Sequence, residues 1–245
     1  MTPSPPAPGA DHTGVLTALA SSAILKCELL PWGSNYTYLV ELAGEGKPLR
    51  AIYKPGKGER PLWDFPSGTL YRRERAAYLA SEALGWGLVP PTVVRQGPHG
   101  PGSVQLYIDF VETENYFTLR ERRLEETWPM AAFDLVANNA DRKAGHCLVD
   151  QAGHIWGIDH GLTFHALPKL RTVMWEFCGQ PIPEHLLADL TRLLEQCQTP
   201  GGLTESLLEV LDQEEVRAFR RRLEELLRRP LFPILDPRQV PWPLV

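Results

Sequence analysis

The sequence lacks any long apolar run, and it is poor in cysteine. No stretch of its 245 residues approaches the ~20 apolar residues that cross a bilayer. Its four cysteines form no Cys-x-x-Cys pair, which argues against both a zinc site and a disulfide framework. The first residues also lack the basic start and the apolar segment of a secretory signal. These absences predict a cytoplasmic protein with free thiols.

Neither sign of charge is in large excess, because 25 Lys and Arg stand against 30 Asp and Glu. The formal charge of -5 gives no general attraction for nucleic acid or anionic lipid. There is no lipidation signal and no amphipathic basic segment, so constitutive membrane binding is not expected. With 43% hydrophobic and 22% charged residues, the chain can bury a sizeable core. We expect one domain or one two-lobed unit.

The residue pattern changes once along the chain, from a strand-rich first half to a helix-rich second half. Runs rich in β-branched and aromatic residues predict strands at 24–31, 36–43, 49–54, 92–95, 104–110, 147–149 and 154–158. Helical periodicity predicts helices at 70–84, 129–137, 184–197 and 204–229. The interpretation is an α+β chain with a disordered proline-rich tail at 1–20, an N-lobe at 21–113 and a mainly helical C-lobe at 114–245.

Two features of the first half are suited to holding phosphate groups, which phosphoryl transfer requires together with metal ligands and a group that orients the nucleophile. Gly33, Ser34 and Asn35 lie in the turn of the first predicted hairpin, where small residues let backbone N–H groups approach phosphate oxygens. Lys54 ends the third predicted strand, from which a lysine can reach phosphates. Each has an ordinary alternative, since a glycine in a hairpin is usually only a turn and a lysine at a strand end is usually solvated.

Glu74 falls on the apolar face of the predicted helix 70–84, within about 60° of Leu70 and Ala77. A carboxylate in an apolar stripe needs a cationic partner, because an unpaired buried charge is costly. Lys54 is the natural partner, and an arginine on the same helix is the alternative.

A polar loop at 138–146 carries the strongest chemical signal. Asp141 can accept or orient the proton of a nucleophile, and His146 can hold a metal ion. The predicted hairpin that follows returns the chain to the same end and delivers Asp159 there. Two carboxylates and a histidine next to glycine fit a magnesium or manganese nucleotide site. The alternative is a loop that is polar only because it is solvated.

Three further groups of residues have two interpretations each. His160 and His165 could join His146 in a zinc site for hydrolysis, although their spacing places them on no common element. Arg171 with residues 175–177 could shape a substrate pocket, but a helix that contributes to the core is the simpler interpretation. The arginines between 217 and 229 are balanced by glutamates, which predicts a solvated, salt-bridged helix face.

Together these motifs resemble the protein-kinase-like fold, with its strand lysine, helix glutamate, catalytic loop and metal-binding aspartate. Residues 139–142 (Asn-Ala-Asp-Arg) and 158–164 (Ile-Asp-His-Gly-Leu-Thr-Phe) most resemble phosphatidylinositol 3- and 4-kinases, especially type II 4-kinases, and more distantly HipA-type serine kinases. This resemblance covers roughly residues 24–165. The whole chain is also similar to an actinobacterial-type family that distant similarity links to those lipid kinases.

The resemblance implies roles for the residues that match. Lys54 would contact ATP phosphates and Glu74 would hold it. Asp141 would be the catalytic aspartate, with Arg142 beside it in the same motif, and Asp159 would be the principal metal ligand.

Two further implications concern adenine and the metal. Residues 107–113 would be the interlobe hinge that binds adenine through its backbone, with contacts at Phe110, Val111 and Glu112. His146 stands where those kinases have a metal-binding asparagine. Neutral imidazole suits manganese better than magnesium, so the departure bears on metal preference.

The expected function is an ATP- and divalent-metal-dependent phosphotransferase, with Mg2+ or Mn2+ as the metal and a hydroxyl group as the acceptor. A small polyol such as an inositol derivative and a protein hydroxyl are both open as acceptors. Two alternatives on the same fold are a nucleotide-binding pseudokinase that acts as a scaffold and a nucleotidyl transferase that moves AMP.

Overall fold

The computed structural model describes residues 12–31, 35–44 and 46–245, and it confirms the predicted α+β class. An antiparallel sheet with packed helices forms most of the first half of the chain, and helices form most of the second half. Among the described helices, none is both long enough and apolar enough to cross a membrane.

In the described ranges, the strands are β1 (Ile24–Leu29), β2 (Tyr38–Leu42), β3 (Leu49–Pro55), β4 (Thr92–Gly97), β5 (Gly100–Leu106), β6 (Cys147–Val149) and β7 (Ile155–Gly157). The helices are α1 (Thr13–Ser21), α2 (Leu70–Leu84), α3 (Tyr116–Arg122), α4 (Trp128–Ala137), α5 (Glu184–Gln198), α6 (Leu203–Leu208) and α7 (Gln213–Arg228). Short 3-10 turns lie at Gly56–Gly58, Leu124–Thr127, Ala144–His146 and Trp175–Phe177.

The larger sheet has the strand order β1-β2-β3-β5-β4, and neighbouring strands are antiparallel. Buried and half-buried residues alternate along β3, because successive side chains of a strand point to opposite faces. Ala51 and Tyr53 are fully buried in the apolar core of this sheet. Lys54 therefore lies on the opposite face, where it can meet charged groups.

Residues 13–20 correct the predicted disordered tail, because they lie in helix α1. Leu19 is fully buried in the core of the larger sheet, and α1 packs against β4 and β5. Arg95 on β4 holds the end of the helix by donating to the carbonyls of Leu19 and Ser22, at 3.1 and 2.8 Å. The apolar residues of this segment are ordered because they cover the sheet, a tertiary contact that composition does not reveal. Residues 1–11 of the predicted tail lie outside the described residues.

The helix predicted at 204–229 is two helices, α6 and α7, and the break has a local cause. Asp212 accepts a hydrogen bond from the Glu215 amide at 2.8 Å, and Glu215 accepts one from the Asp212 amide at 3.1 Å. This capping box starts α7. A capping box at Asn115 also starts α3, a helix that the sequence pattern did not predict. The strand predicted at 104–110 ends at Leu106.

The hairpin of β6 and β7 brings two distant parts of the chain together. Cys147 pairs with Gly157, and the Ile158 amide donates to the His146 carbonyl at 3.0 Å. The loop before β6 and the residue after Ile158 therefore meet at one end of the hairpin, as the sequence predicted.

Candidate active site

Three charged side chains meet where β3, α2 and the chain after β7 approach one another. The ammonium of Lys54 lies 2.5 Å from Oε1 of Glu74 and 2.8 Å from Oδ1 of Asp159. Glu74 is buried, with 3% of its side chain exposed, whereas Asp159 is 49% exposed. The predicted pairing of Glu74 with Lys54 is confirmed. The neighbouring arginine on the helix, Arg73, instead pairs with Glu215.

Glu74 also holds the segment that carries Asp159. Its Oε2 accepts a hydrogen bond from the backbone N–H of His160 at 3.0 Å. Asp159 has a left-handed backbone conformation with φ of 58°, which aspartate adopts more readily than most residues. One carboxylate on α2 therefore fixes both the lysine and the turn that presents Asp159.

The charges of this cluster shift one another's pKa. The Lys54 ammonium holds the pKa of Asp159 well below its usual range, against the effect of burial. Burial lowers the pKa of Lys54, but Asp159 and Glu74 raise it by more, so the lysine stays protonated. The result is an ionised carboxylate beside an ammonium, an arrangement that can bind a metal ion and phosphate together.

Specific hydrogen bonds hold the polar loop after α4, so it is not polar merely because it is solvated. Asn138 ends α4 in a left-handed conformation with φ of 53°, and its side chain donates to the His165 carbonyl at 2.9 Å. Asn139 is fully buried and accepts from the Asp141 amide at 3.0 Å. It also donates to Oδ1 of Asp134 at 2.9 Å. The two asparagines thereby position Asp141.

Asp141 keeps a quarter of its side chain exposed, and its Oδ2 lies 3.4 Å from Nζ of Lys143. Burial raises the pKa of Asp141 to about 6; Lys143 opposes the shift and the charge of Asp159 adds to it. A carboxylate with a pKa near the working pH is suited to accept a proton from a hydroxyl group.

His146 lies beside Asp159, with 3.3 Å between Nε2 and Oδ2. Burial lowers the pKa of His146 to about 4, so the imidazole is neutral and has a lone pair for a metal ion. With the ring proton on Nδ1, this nitrogen and the carboxylate oxygen would form a donor pair that fits manganese, and also magnesium. In the part of the chain that the structure describes, no three His, Cys, Asp or Glu side chains are arranged around one metal position. Oxygen atoms from a bound phosphate would complete the coordination.

The three histidines do not gather around one position for zinc. His160 is fully buried, faces the Phe133 ring, and has its Nε2 atom 2.7 Å from a guanidinium nitrogen of Arg142. His165 instead faces the Phe65 ring, with 5.1 Å between the ring centroids. Each histidine therefore has its own protein partner.

The structure corrects the predicted catalytic role of Arg142, because this side chain is fully buried. Its guanidinium donates to both carboxylate oxygens of Asp134, at 2.8 and 2.9 Å. It also donates to the carbonyls of His146 and Ile158, at 3.1 and 3.2 Å, and contacts His160. All five N–H groups of the arginine are used in this way. Arg142 therefore joins the loop to the segment around Asp159.

The residues predicted to contact adenine already have backbone partners at two positions. The Val111 amide donates to the Val149 carbonyl at 2.8 Å, and Phe110 forms a bridge with Asp150. This pairing contradicts an adenine contact through the Val111 amide. The contacts predicted for Phe110 and Glu112 stay predictions.

Only one residue of the predicted phosphate turn can be placed. Gly33 and Ser34 lie outside the described residues. Oδ1 of Asn35 accepts the Arg60 amide at 2.7 Å, and the Tyr36 amide donates to the Gly58 carbonyl at 3.0 Å. The described end of the turn is therefore bonded to the loop that follows β3.

The second interpretation of residues 175–177, a contribution to the core, is the one that the structure supports. Phe177 is buried in the helical core, and Glu176 accepts a hydrogen bond from the Tyr116 hydroxyl at 2.6 Å. Arg171 differs, since it is exposed and its backbone bonds to Asn139 and Arg142. Its charge lowers the pKa of Asp141, so Arg171 lies within electrostatic reach of the site.

The sequence patterns do not indicate Asp134 or the Arg73–Glu215 pair as part of the site. Asp134 lies on α4 and is 1% exposed, and Arg73 is equally buried on α2. A charged residue within a largely apolar helix such as α4 was the available signal for Asp134. The partner of Arg73 could not be found this way, because Glu215 is 142 residues away.

No family model matches the sequence. The chain is 38% identical over 249 residues to "Protein Rv2133c" of Mycobacterium tuberculosis, which covers 86% of this chain and 88% of that protein. The fold is similar to a solved structure of the Golgi casein kinase, with a TM-score of 0.54, 15% identity, and coverage of 88% of this chain and 74% of that one. It is also similar to the Golgi casein kinase with Mn/ADP bound, with a TM-score of 0.57, 14% identity, and coverage of 93% and 77%. At this identity, these similarities establish a kinase-like fold.

Proposed function

The chain belongs to the family of the mycobacterial Protein Rv2133c, and we propose that it is a phosphotransferase that uses ATP and a divalent metal to phosphorylate a hydroxyl group. One observation carries the proposal: Lys54 lies between Glu74 and Asp159, at 2.5 and 2.8 Å, on a kinase-like fold. A lysine that is merely solvated is not expected to pair with two carboxylates from distant segments. A lysine that binds phosphates beside a metal is expected to be held by such carboxylates.

The residues divide the chemistry among them. Lys54 binds the ATP phosphates, and Glu74 keeps it in place. Asp159 and His146 would hold the metal, which would neutralise charge on the phosphates. Asp141 accepts the proton of the acceptor hydroxyl as the new oxygen–phosphorus bond forms, and ADP leaves with the electrons of the broken bond.

Manganese is the proposed metal. A neutral imidazole nitrogen at His146 favours it over magnesium, which prefers oxygen ligands. The similar Golgi casein kinase has been solved with Mn/ADP bound, so a manganese nucleotide is compatible with this fold.

The acceptor is a small polyol such as an inositol derivative, or a protein hydroxyl. The resemblance of residues 139–142 and 158–164 to phosphatidylinositol 3- and 4-kinases supports the polyol. The same site could transfer AMP, because both reactions use the lysine and the metal ligands. The mass added to the product distinguishes them.

A pseudokinase is the second candidate, and the Val111 amide favours it. That amide is bonded to Val149 and is not free for adenine. The retained Lys54, Glu74, Asp141 and Asp159 cluster argues against a pure scaffold.

The proposal is tested by nucleotide binding with and without metal. We expect calorimetry and thermal unfolding to detect ADP in the presence of Mn2+, more weakly with Mg2+, and not with a chelator. A ligand at 100 times its Kd stabilises the native state by about 2.7 kcal/mol. Asp159→Asn should abolish the metal-dependent binding, because it removes the ionised ligand beside Lys54. Binding of ADP by the variant as tightly as by the wild type would contradict the proposal.

A further inference from the structure

Helix α2 contacts the segment after Asp159 at two points. Glu74 accepts the His160 amide at 3.0 Å. The adjacent residue, Arg73, donates to the Thr163 carbonyl at 2.9 Å. The Thr163 hydroxyl donates to the His160 carbonyl at 2.6 Å and closes the turn between them. Two consecutive residues of one helix thus hold both ends of the segment 160–163.

Arg73 can do this because Glu215 neutralises it. The other arm of the guanidinium is hydrogen bonded to Oε1 of Glu215, and the two side chains are 2% and 8% exposed. The Phe65 ring lies 5.0 Å from the guanidinium carbon and covers it. A buried guanidinium without a carboxylate would be strongly unfavourable, so the position of Arg73 depends on Glu215.

Glu215 is itself fixed by the start of α7. Its Oε2 accepts the Asp212 amide at 3.1 Å, as part of the capping box. A negative charge in the first turn of a helix is favoured by the helix dipole. Seven residues further along the same helix, Arg222 donates to the carbonyls of Val136 and His165, at 2.9 and 3.2 Å. Helix α7 therefore contacts both α2 and the polypeptide on either side of the candidate active site.

We propose that Arg73 and Glu215 are positioning residues: through this buried ion pair, the C-terminal helix α7 sets α2 and the segment 160–163, and thereby Lys54 and Asp159, in the geometry needed to bind the metal nucleotide. The catalytic consequence rests on the proposed function. The contacts of Arg73 with Thr163 and Glu215 do not depend on that function. The ion pair also gives a role to a helix whose charges the sequence predicted to be only a solvated face.

The test separates positioning from general stability by removing both charges. Arg73→Met and Glu215→Leu each leave one buried charge unpaired, so both single variants should lower the Tm. The double variant has no unpaired charge, and replacing a buried ion pair by apolar residues is often neutral or stabilising. We expect the Tm of the double variant to lie above that of either single variant, and to stay below that of the wild type only by the loss of the capping hydrogen bond of Glu215.

In the double variant, the affinity for ADP with Mn2+ should stay low even though the Tm recovers. The double variant still lacks the donor to the Thr163 carbonyl, so we expect its Kd to remain about tenfold or more above that of the wild type, the ratio that corresponds to about 1.4 kcal/mol. Arg192→Met is the matched control, because it removes a helical arginine whose ion pair with Asp189 lies on the surface. It should bind ADP like the wild type. A double variant that regains both Tm and affinity would overturn the inference.

Amide hydrogen exchange gives a readout that needs no nucleotide. The segment 160–163 should exchange faster in the double variant than in the wild type when each protein is measured the same number of degrees below its own Tm, because one of the two anchors of the segment on α2 is gone. Unchanged exchange would also overturn the inference. If the wild type binds no ADP, the proposed function fails, and the exchange measurement still decides the positional claim.

Discussion

Two ion-pair clusters contact the segment 158–160. They differ in exposure and in how many of their polar atoms are already hydrogen bonded within the protein. In the first, Lys54 faces Glu74 and Asp159, and these side chains are 22%, 3% and 49% exposed. In the second, Arg142 and Asp134 are 0% and 1% exposed, and every N–H of the arginine has a protein partner. Only the first cluster has capacity left for a ligand.

The difference separates groups that bind from groups that position. A saturated, buried guanidinium holds loops in place but cannot reach a substrate. A half-exposed carboxylate kept ionised by a lysine can exchange that partner for a metal ion. The sequence places Asp141 and Arg142 side by side in one motif, yet Arg142 belongs to the saturated cluster, whereas Asp141 stays partly exposed beside Lys143.

The largest expected effect is a loss of catalytic turnover when an exposed carboxylate of the site is neutralised. Asp141→Asn should lower ATP turnover by about 10²- to 10⁴-fold, because it removes the proton acceptor. Binding of ADP with Mn2+ should be largely unchanged, since Asp141 is not a predicted metal ligand. Release of ADP measures the first quantity and calorimetry the second. An equal loss of nucleotide binding would contradict the role of Asp141.

The free energy of unfolding tests whether the buried cluster of Arg142 and Asp134 holds the structure together more than the exposed cluster does. Arg142→Met leaves the Asp134 carboxylate buried without a cation, so it should lower the free energy of unfolding by about 3–5 kcal/mol. Asp159→Asn removes a half-exposed ion pair and should change it by less than about 1 kcal/mol. Urea denaturation of both variants measures the difference. Equal destabilisation by the two substitutions would contradict the inferred difference in burial and saturation between the two clusters.

Turnover should depend on the ionisation of Asp141. Its pKa is raised to about 6 and the reaction needs the carboxylate, so the rate should fall as the pH drops below about 6, by about tenfold per pH unit at the acidic limit. Lys143→Gln should move the midpoint to higher pH, because the lysine opposes the upward shift. Lys143→Arg keeps the charge and serves as the control. A midpoint that does not move in Lys143→Gln would argue against Asp141 as the titrating group.

The smallest expected effect concerns the metal. His146→Asn replaces a nitrogen ligand by an amide oxygen, and it should shift the preference from manganese toward magnesium by a fewfold change in the ratio of activities. Metal titrations of ATP turnover measure that ratio. Complete inactivity with both metals would mean that His146 has another role.

Most of the local structure near the site could be read from the sequence. The strand before Lys54, the apolar stripe around Glu74 and the hairpin after His146 follow from short-range patterns, and each element forms as predicted. The helix that begins after Asp212 and the helix that begins after Asn115 each start at a capping box. Hydrophobic periodicity contains no information about such hydrogen bonds. Helix α1 was missed because its order comes from covering the sheet.

The residue types available for phosphate, metal and proton chemistry follow from the sequence, which also places Lys54, Glu74, Asp141 and Asp159 on elements that converge. Which charges are open to a ligand and which are saturated depends on how those elements pack. Burial and hydrogen-bond partners come from segments far apart in the chain, such as Arg73 with Glu215 and Arg142 with Ile158. The cost of leaving a buried charge unpaired forces those partners together, and no local pattern records that requirement.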